Sequence, residues 1–222
     1  MEAVSHCVRP LLLSFSTLLL LTGASAAQKA ASKPSLPHCE PLSGQLLRCP
    51  KLGFTYKVTF GWVDRTQEMQ ESASAPDAKP DQSANQANAE QTGKTLLAVF
   101  ERPPGTSGDS VNSAVIIAVE DRAAYPQVKT AADYFGPLAD IAEHRGFKMD
   151  GDPYSFSVGS RQVVRGDFTG GNEKTPIRQT SLVLLEKGYV LSFTFLAGSD
   201  DEIDSLIENL TFNSNQRKAS PK

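Results

Sequence analysis

Histidine is nearly absent from this chain, with three in 222 residues. His6 precedes the one long apolar run, which leaves His38 and His144 for any later domain. Nucleophilic catalysis needs a base beside the nucleophile, most often histidine. His144 falls at the end of a predicted helix beside Arg145, where a cation meets the helix dipole favourably, and His38 precedes the first patterned segment. No G-x-S-x-G elbow occurs, and Gly159-Ser160-Arg161 lacks the second glycine. Neither G-x-x-x-x-G-K-[ST] nor G-x-G-x-x-G is present to cradle a phosphate, so no catalytic residue and no cofactor are expected. Clustered basic charge is lacking too. The net charge is -3, which argues against a phosphate-tracking groove and a nucleic-acid partner. The apolar run at residues 11–21 is too short to span a bilayer as a stable anchor.

That run belongs instead to a secretory signal. Arg9 precedes it, and Thr22-Gly23 and the small-residue site Ala24-Ser25-Ala26 follow, which predicts cleavage before Ala27. Cys7 lies ahead of the run, whereas a lipoprotein cysteine would follow it. A secreted or periplasmic protein without a membrane anchor is therefore expected. Removing residues 1–26 deletes Glu2 and Arg9 and leaves the net charge unchanged, and what remains is enough for one good core.

Cys39 and Cys49 survive cleavage, and an even count in an exported chain suggests a disulfide. Free thiols are one alternative. A metal site recruiting His38 is another, but no second cysteine pair and no H-x3-H spacing would complete it. No metal site is expected.

Residues 27–37 read as a flexible tether and 38–213 as a single domain, with 214–222 as a C-terminal tail. Phe54, Tyr56, Val58 and Phe60 alternate with polar residues and predict a strand ended by Gly61-Trp62. Residues 68–92 shift to Ser, Ala, Gln, Asn, Asp and Pro and predict a disordered insertion. Strands are expected over 96–101 and 114–119, the latter apolar on both faces and so central. Thr130 and Asp133 have capping-box spacing before a helical region that Gly136-Pro137 interrupts and Gly146 ends. Strands at 154–158 and 162–168 flank Gly159-Ser160, and 177–186 with 189–196 form a hairpin turning at Lys187-Gly188. Ser199 to Glu202 begins a last helix carrying the stripe Ile203, Leu206, Ile207, Leu210. The expected class is α+β: a largely antiparallel sheet of six or seven strands flanked by helices.

Gly53-Phe54 and Gly61-Trp62 near the start, the Lys187-Gly188 hairpin, and a closing helix ending in Leu210-Thr211-Phe212 together resemble the PsbP-like superfamily. That superfamily includes extrinsic subunits of the oxygen-evolving complex, a Ran-binding nuclear import factor and small exported bacterial proteins such as DcrB. The resemblance covers residues 50–213 and implies an α/β/α sandwich with non-enzymatic binding or assembly roles. This chain departs from it in lacking a lipid-anchor cysteine after the apolar run and in carrying the 68–92 insertion.

The segment singled out for binding is Trp62, Asp64 and Arg65: the only tryptophan, then an acid and a base, at a strand end where loops carry function. The competing reading makes Trp62 a plug at the core's edge and Asp64 a turn cap. Asp200, Asp201, Glu202 and Asp204 form the densest acid cluster and sit in a first helical turn, where acids are stabilising for structural reasons. Arg165-Gly166-Asp167 spells an adhesion tripeptide but falls within a predicted strand, and Asn209-Leu210-Thr211 is a formal glycosylation sequon. The sequence thus points to an exported, non-catalytic binding or assembly module for an unknown protein or small-molecule partner. A carboxylate- and cation-dependent hydrolase and a small apolar-ligand carrier are the alternatives.

Overall fold

The computed structural model describes residues 36–74, 93–103, 105–106 and 110–213. The expected signal, nearly all of the tether, residues 75–92 and the tail lie outside the described residues. The elements in chain order are β1 (Leu46–Cys49), β2 (Phe54–Lys57), β3 (Val63–Asp64), α1 (Thr66–Ser74), β4 (Gly93–Phe100) and β5 (Ala114–Asp121), then α2 (Phe135–His144), β6 (Lys148–Val158), β7 (Arg161–Asn172), β8 (Thr175–Glu186), β9 (Tyr189–Ala197), α3 (Asp200–Ile207) and β10 (Leu210–Phe212).

Seven strands form one antiparallel sheet in the order β3-β4-β5-β9-β8-β7-β6, and β1-β2-β10 form a second, smaller sheet. The β8–β9 hairpin follows from its turn. Lys187 (φ 51°) and Gly188 (φ 87°) are both left-handed, the paired conformation whose twist matches the flanking strands. Alternation then separates two faces. Leu182, Leu184, Leu191, Phe193 and Phe195 meet Phe54, Tyr56, Ile203, Leu206 and Leu210 from the small sheet and the last helix. Phe54 packs edge-on against Phe193, with centroids 5.0 Å apart. On the other face, Phe168, Val183 and Val190 pack with Tyr134, Phe135 and Ala142 around α2. Each fully buried large side chain stabilises the fold by about 2–3 kcal/mol, so helices are held on both faces.

Local chemistry sets the helix ends. The Asp133 carboxylate accepts from the N–H groups of Thr130 (2.7 Å) and Lys129 (2.8 Å), and these bonds hold its pKa below the ordinary aspartate value. A 3₁₀ turn over Ala132–Tyr134 leads into α2, so Gly136-Pro137 begins the helix instead of breaking it: Pro137 lies in the first turn, where an N–H would have no helical partner. Gly146 (φ 81°) ends the region, as its position predicts. Ser199 caps α3 by accepting from Glu202 N–H at 3.3 Å.

Four further expectations change. The strand from Phe54 stops at Lys57, and Phe60, expected to face inward, is 89% exposed. Trp62 N–H donates to Thr59 O at 3.3 Å, and Gly61 (φ 83°) turns the chain outward. The start of the 68–92 segment is helical, because α1 runs from Thr66 to Ser74. Its anchors are side-chain bonds: the Arg65–Glu68 ion pair, Gln67 Nε2 to Glu71 Oε1 (2.8 Å), and, across to β4, Gln70 Nε2 to Thr95 O (2.6 Å). The last helix stops at Ile207, and Leu210–Phe212 pairs with β2 as a strand. Finally, β1 and β2 leave the main sheet to build the smaller one.

Candidate functional site

The tryptophan segment is tied down. Asp64 Oδ1 accepts from Thr66 N–H (2.8 Å) and Thr66 Oγ1 (2.6 Å), and that hydroxyl in turn accepts from Ala98 N–H at 2.9 Å. Arg65 pairs with Glu68 and lies 5.2 Å from the centre of the Phe100 ring. Hydrogen bonding to Glu68 raises the Arg65 pKa, and the same bond lowers that of Glu68. Trp62 is half-buried against the main core. Asp64 and Arg65 thus hold the start of α1 through Thr66 and Glu68, while Trp62 packs at the edge of the core. Cys39 and Cys49 are bridged, with Cα atoms 4.3 Å apart, and Cys49 has no exposed surface.

A groove of about 480 Å³ lies elsewhere, between the outer strand β6, α3 and β10. Phe156, Val158, Ile207, Leu210 and Phe212 give it an apolar lining, and Ser157, Glu208 and Thr211 stand exposed on its rim. At its base is Arg165, only 9% exposed. Its Nε donates to Asp167 Oδ1 (2.9 Å), its Nη1 to Asp204 Oδ1 (3.0 Å), and its guanidinium sits 5.1 Å from the centre of the Phe156 ring. Burial pulls the Arg165 pKa down, but the hydrogen bonds to Asp167 and Asp204 outweigh it, so the residue stays a cation. Asp167 also accepts from Thr180 Oγ1 (2.6 Å) and from Tyr154 Oη (3.0 Å); burial, then that bond, raises the Tyr154 pKa. Asp167 thus links Arg165, Thr180 and Tyr154 into one hydrogen-bonded group.

Three of the four acids of α3 are likewise engaged. Asp204 holds Arg165, Asp200 lies 3.7 Å from Arg178, and Glu202 accepts from Ser113 Oγ (2.5 Å) and Gly198 N–H (3.3 Å). Among the described residues, no three of His, Cys, Asp and Glu converge to hold a metal ion. The tripeptide at Arg165 lies inside β7, with its arginine turned into the groove's base. A second carboxylate, Glu120, accepts from the hydroxyls of Tyr125 and Tyr134, whose pKa values burial pushes well above the ordinary tyrosine value. That cluster pins the 3₁₀ turns Arg122–Ala124 and Ala132–Tyr134 to β5.

No protein-family model matches the chain. No curated protein matches it by sequence. Among solved structures it is similar to cyanobacterial PsbP from Synechocystis sp. PCC 6803, at 12% identity and a TM-score of 0.43, over 80% of this chain and 98% of that one. It is also similar to the Ran-binding protein Mog1p of Saccharomyces cerevisiae (12% identity, TM-score 0.34, 71% of this chain and 78% of that one). LpqN of Mycobacterium tuberculosis, described as involved in cell envelope biogenesis, shares 13% identity at a TM-score of 0.30, over 58% of this chain and 82% of that one. These are likenesses of overall layout and carry nothing about ligand or partner. The α+β class itself stands on the two sheets and three helices described above. Among the described residues, no helix is long and apolar enough to cross a membrane.

Sequence reasoning missed Phe156, Asp204 and Ile207 as neighbours. The one available signal was Arg165, a charge in the middle of a predicted strand, which demands a buried partner.

Proposed function

We propose that this chain is an exported, non-catalytic binding module that holds a protein partner in the groove between β6, α3 and β10. The observation that carries this reading is the state of the groove's polar groups. Arg165, the buried charge there, is already paired with Asp167 and Asp204, and Phe156, Val158, Ile207, Leu210 and Phe212 give the groove an apolar lining. Such a base takes no part in proton transfer, and apolar surface with a polar rim is the usual anatomy of a protein interface. Export is supported by the signal-like N-terminus and by the bridge between Cys39 and Cys49.

The test is site-specific photocrosslinking in the native envelope. A benzophenone side chain at Thr211, on the rim, is expected to give a discrete adduct that Phe156→Ala removes. The same group at Glu71, exposed on α1 beside β4 at the other end of the sheet, is expected to give none. Equal adducts at both positions, or none at Thr211, would overturn the reading.

A further inference from the structure

The seven-stranded sheet ends in β3, two residues long, on one side and in β6 on the other. β6 and β7 turn through the two residues Gly159 and Ser160, so Val158 and Arg161 close the ladder. Counting back by twos, Phe156 and Tyr154 also direct their N–H and C=O groups at β7. Ser155 and Ser157 therefore direct theirs outward. Both are exposed, and among the described residues no strand pairs with β6 on that side. Native edge strands are usually blunted with charge, proline or a bulge. Here Pro153 and the register shift between Asp150 and Tyr154 guard only the upstream end, and no charged residue lies between Pro153 and Arg161.

Each face of this open edge carries a groove. One is the site described above. The other, about 440 Å³, is lined by Ser155, Gln162, Val164, Val183 and Leu185 beside Ala131. A strand laid along β6 would direct successive side chains to opposite faces and so into the two grooves alternately. Glu208, exposed and without an ion pair among the described residues, adds negative charge to the first groove.

We infer that the partner binds by strand addition. An extended segment with apolar residues at alternate positions and a basic residue near Glu208 pairs its main chain with Ser155 and Ser157. This rests on the groove reading above and specifies the form of the partner.

The experiment pans a display library of random nine-residue peptides on the mature protein and synthesises the enriched sequences. Single N-methylation along such a peptide is expected to weaken binding with a period of two, by about tenfold at each amide that faces β6. Ser157→Pro removes an N–H that points away from β7, a replacement edge strands tolerate, and it is expected to abolish binding while leaving the unfolding transition nearly unchanged. If that variant does not fold, the N-methyl series still decides. A helical period, or no dependence on N-methylation, with binding still lost in Phe156→Ala, would overturn strand addition and leave the groove reading standing. Binding indifferent to Phe156→Ala, or no enrichment at all, would overturn both. A dimer broken by Ser157→Pro would assign the edge to a second copy of this chain and overturn the inference.

Discussion

Replacing Cys39 and Cys49 together with alanine separates the contribution of the covalent bridge from that of packing. The two residues are 10 apart in sequence, and closing a loop of that length stabilises by about 2.7 kcal/mol in the chain-entropy model. Cys49 is fully buried in the main core, so losing its sulfur adds about 1 kcal/mol of lost apolar contact. The expected total is about 3–4 kcal/mol. It would appear in urea denaturation as a lower midpoint at nearly constant slope, followed by Trp62 fluorescence and far-ultraviolet dichroism together. β1 carries Cys49 and pairs with β2, which in turn holds β10, one wall of the groove. Loss of the bridge is therefore expected to weaken binding in the groove as well as global stability. A cost below about 1 kcal/mol would refute the reasoning, since it would show that the bridge hardly restricts the unfolded chain.

Trp62 is half-buried, so Trp62→Ala is expected to cost about 1.5–3 kcal/mol, less than the 3–5 of a fully buried aromatic site, with intermediate quenching by acrylamide; free quenching with unchanged stability would contradict this. At Gly166 an added Cβ would lie 2.3 Å from Phe135 Cε1, so Gly166→Ala is expected to destabilise by about 1–3 kcal/mol through overpacking, and calorimetry checks it. Mass spectrometry of the exported protein is expected to find Ala27 as its first residue, and an intact Met1 would remove the export claim.

The fold was legible where local rules agree. Lys187-Gly188, Thr130 with Asp133, and Ser199 with Glu202 each combine a turn or cap with the right hydrophobic period, and all three appear where expected. α1 was hidden because Met69 and Ala73 alone interrupt a polar stretch; it is fixed by side-chain pairs and by Gln70 reaching Thr95, which no hydrophobic period reveals. β1 was hidden because four residues are too few to show a period. The inward reading of Phe60 failed because alternation says nothing about where a strand ends, and Gly61 ends this one early. The groove was beyond local reasoning altogether. Arg165 and Asp204 are 39 residues apart, and only the topology that lays α3 on β9 and β8 brings them together.

The claim at the centre of this account is that β6 presents an open edge beside the groove. Amide hydrogen exchange, resolved residue by residue in the free mature protein, tests it most directly. Tyr154, Phe156 and Val158, bonded to β7, are expected to exchange slowly, with Ser155 and Ser157 between them fast. Equal protection of all five amides would show that the edge is already covered and would contradict the account.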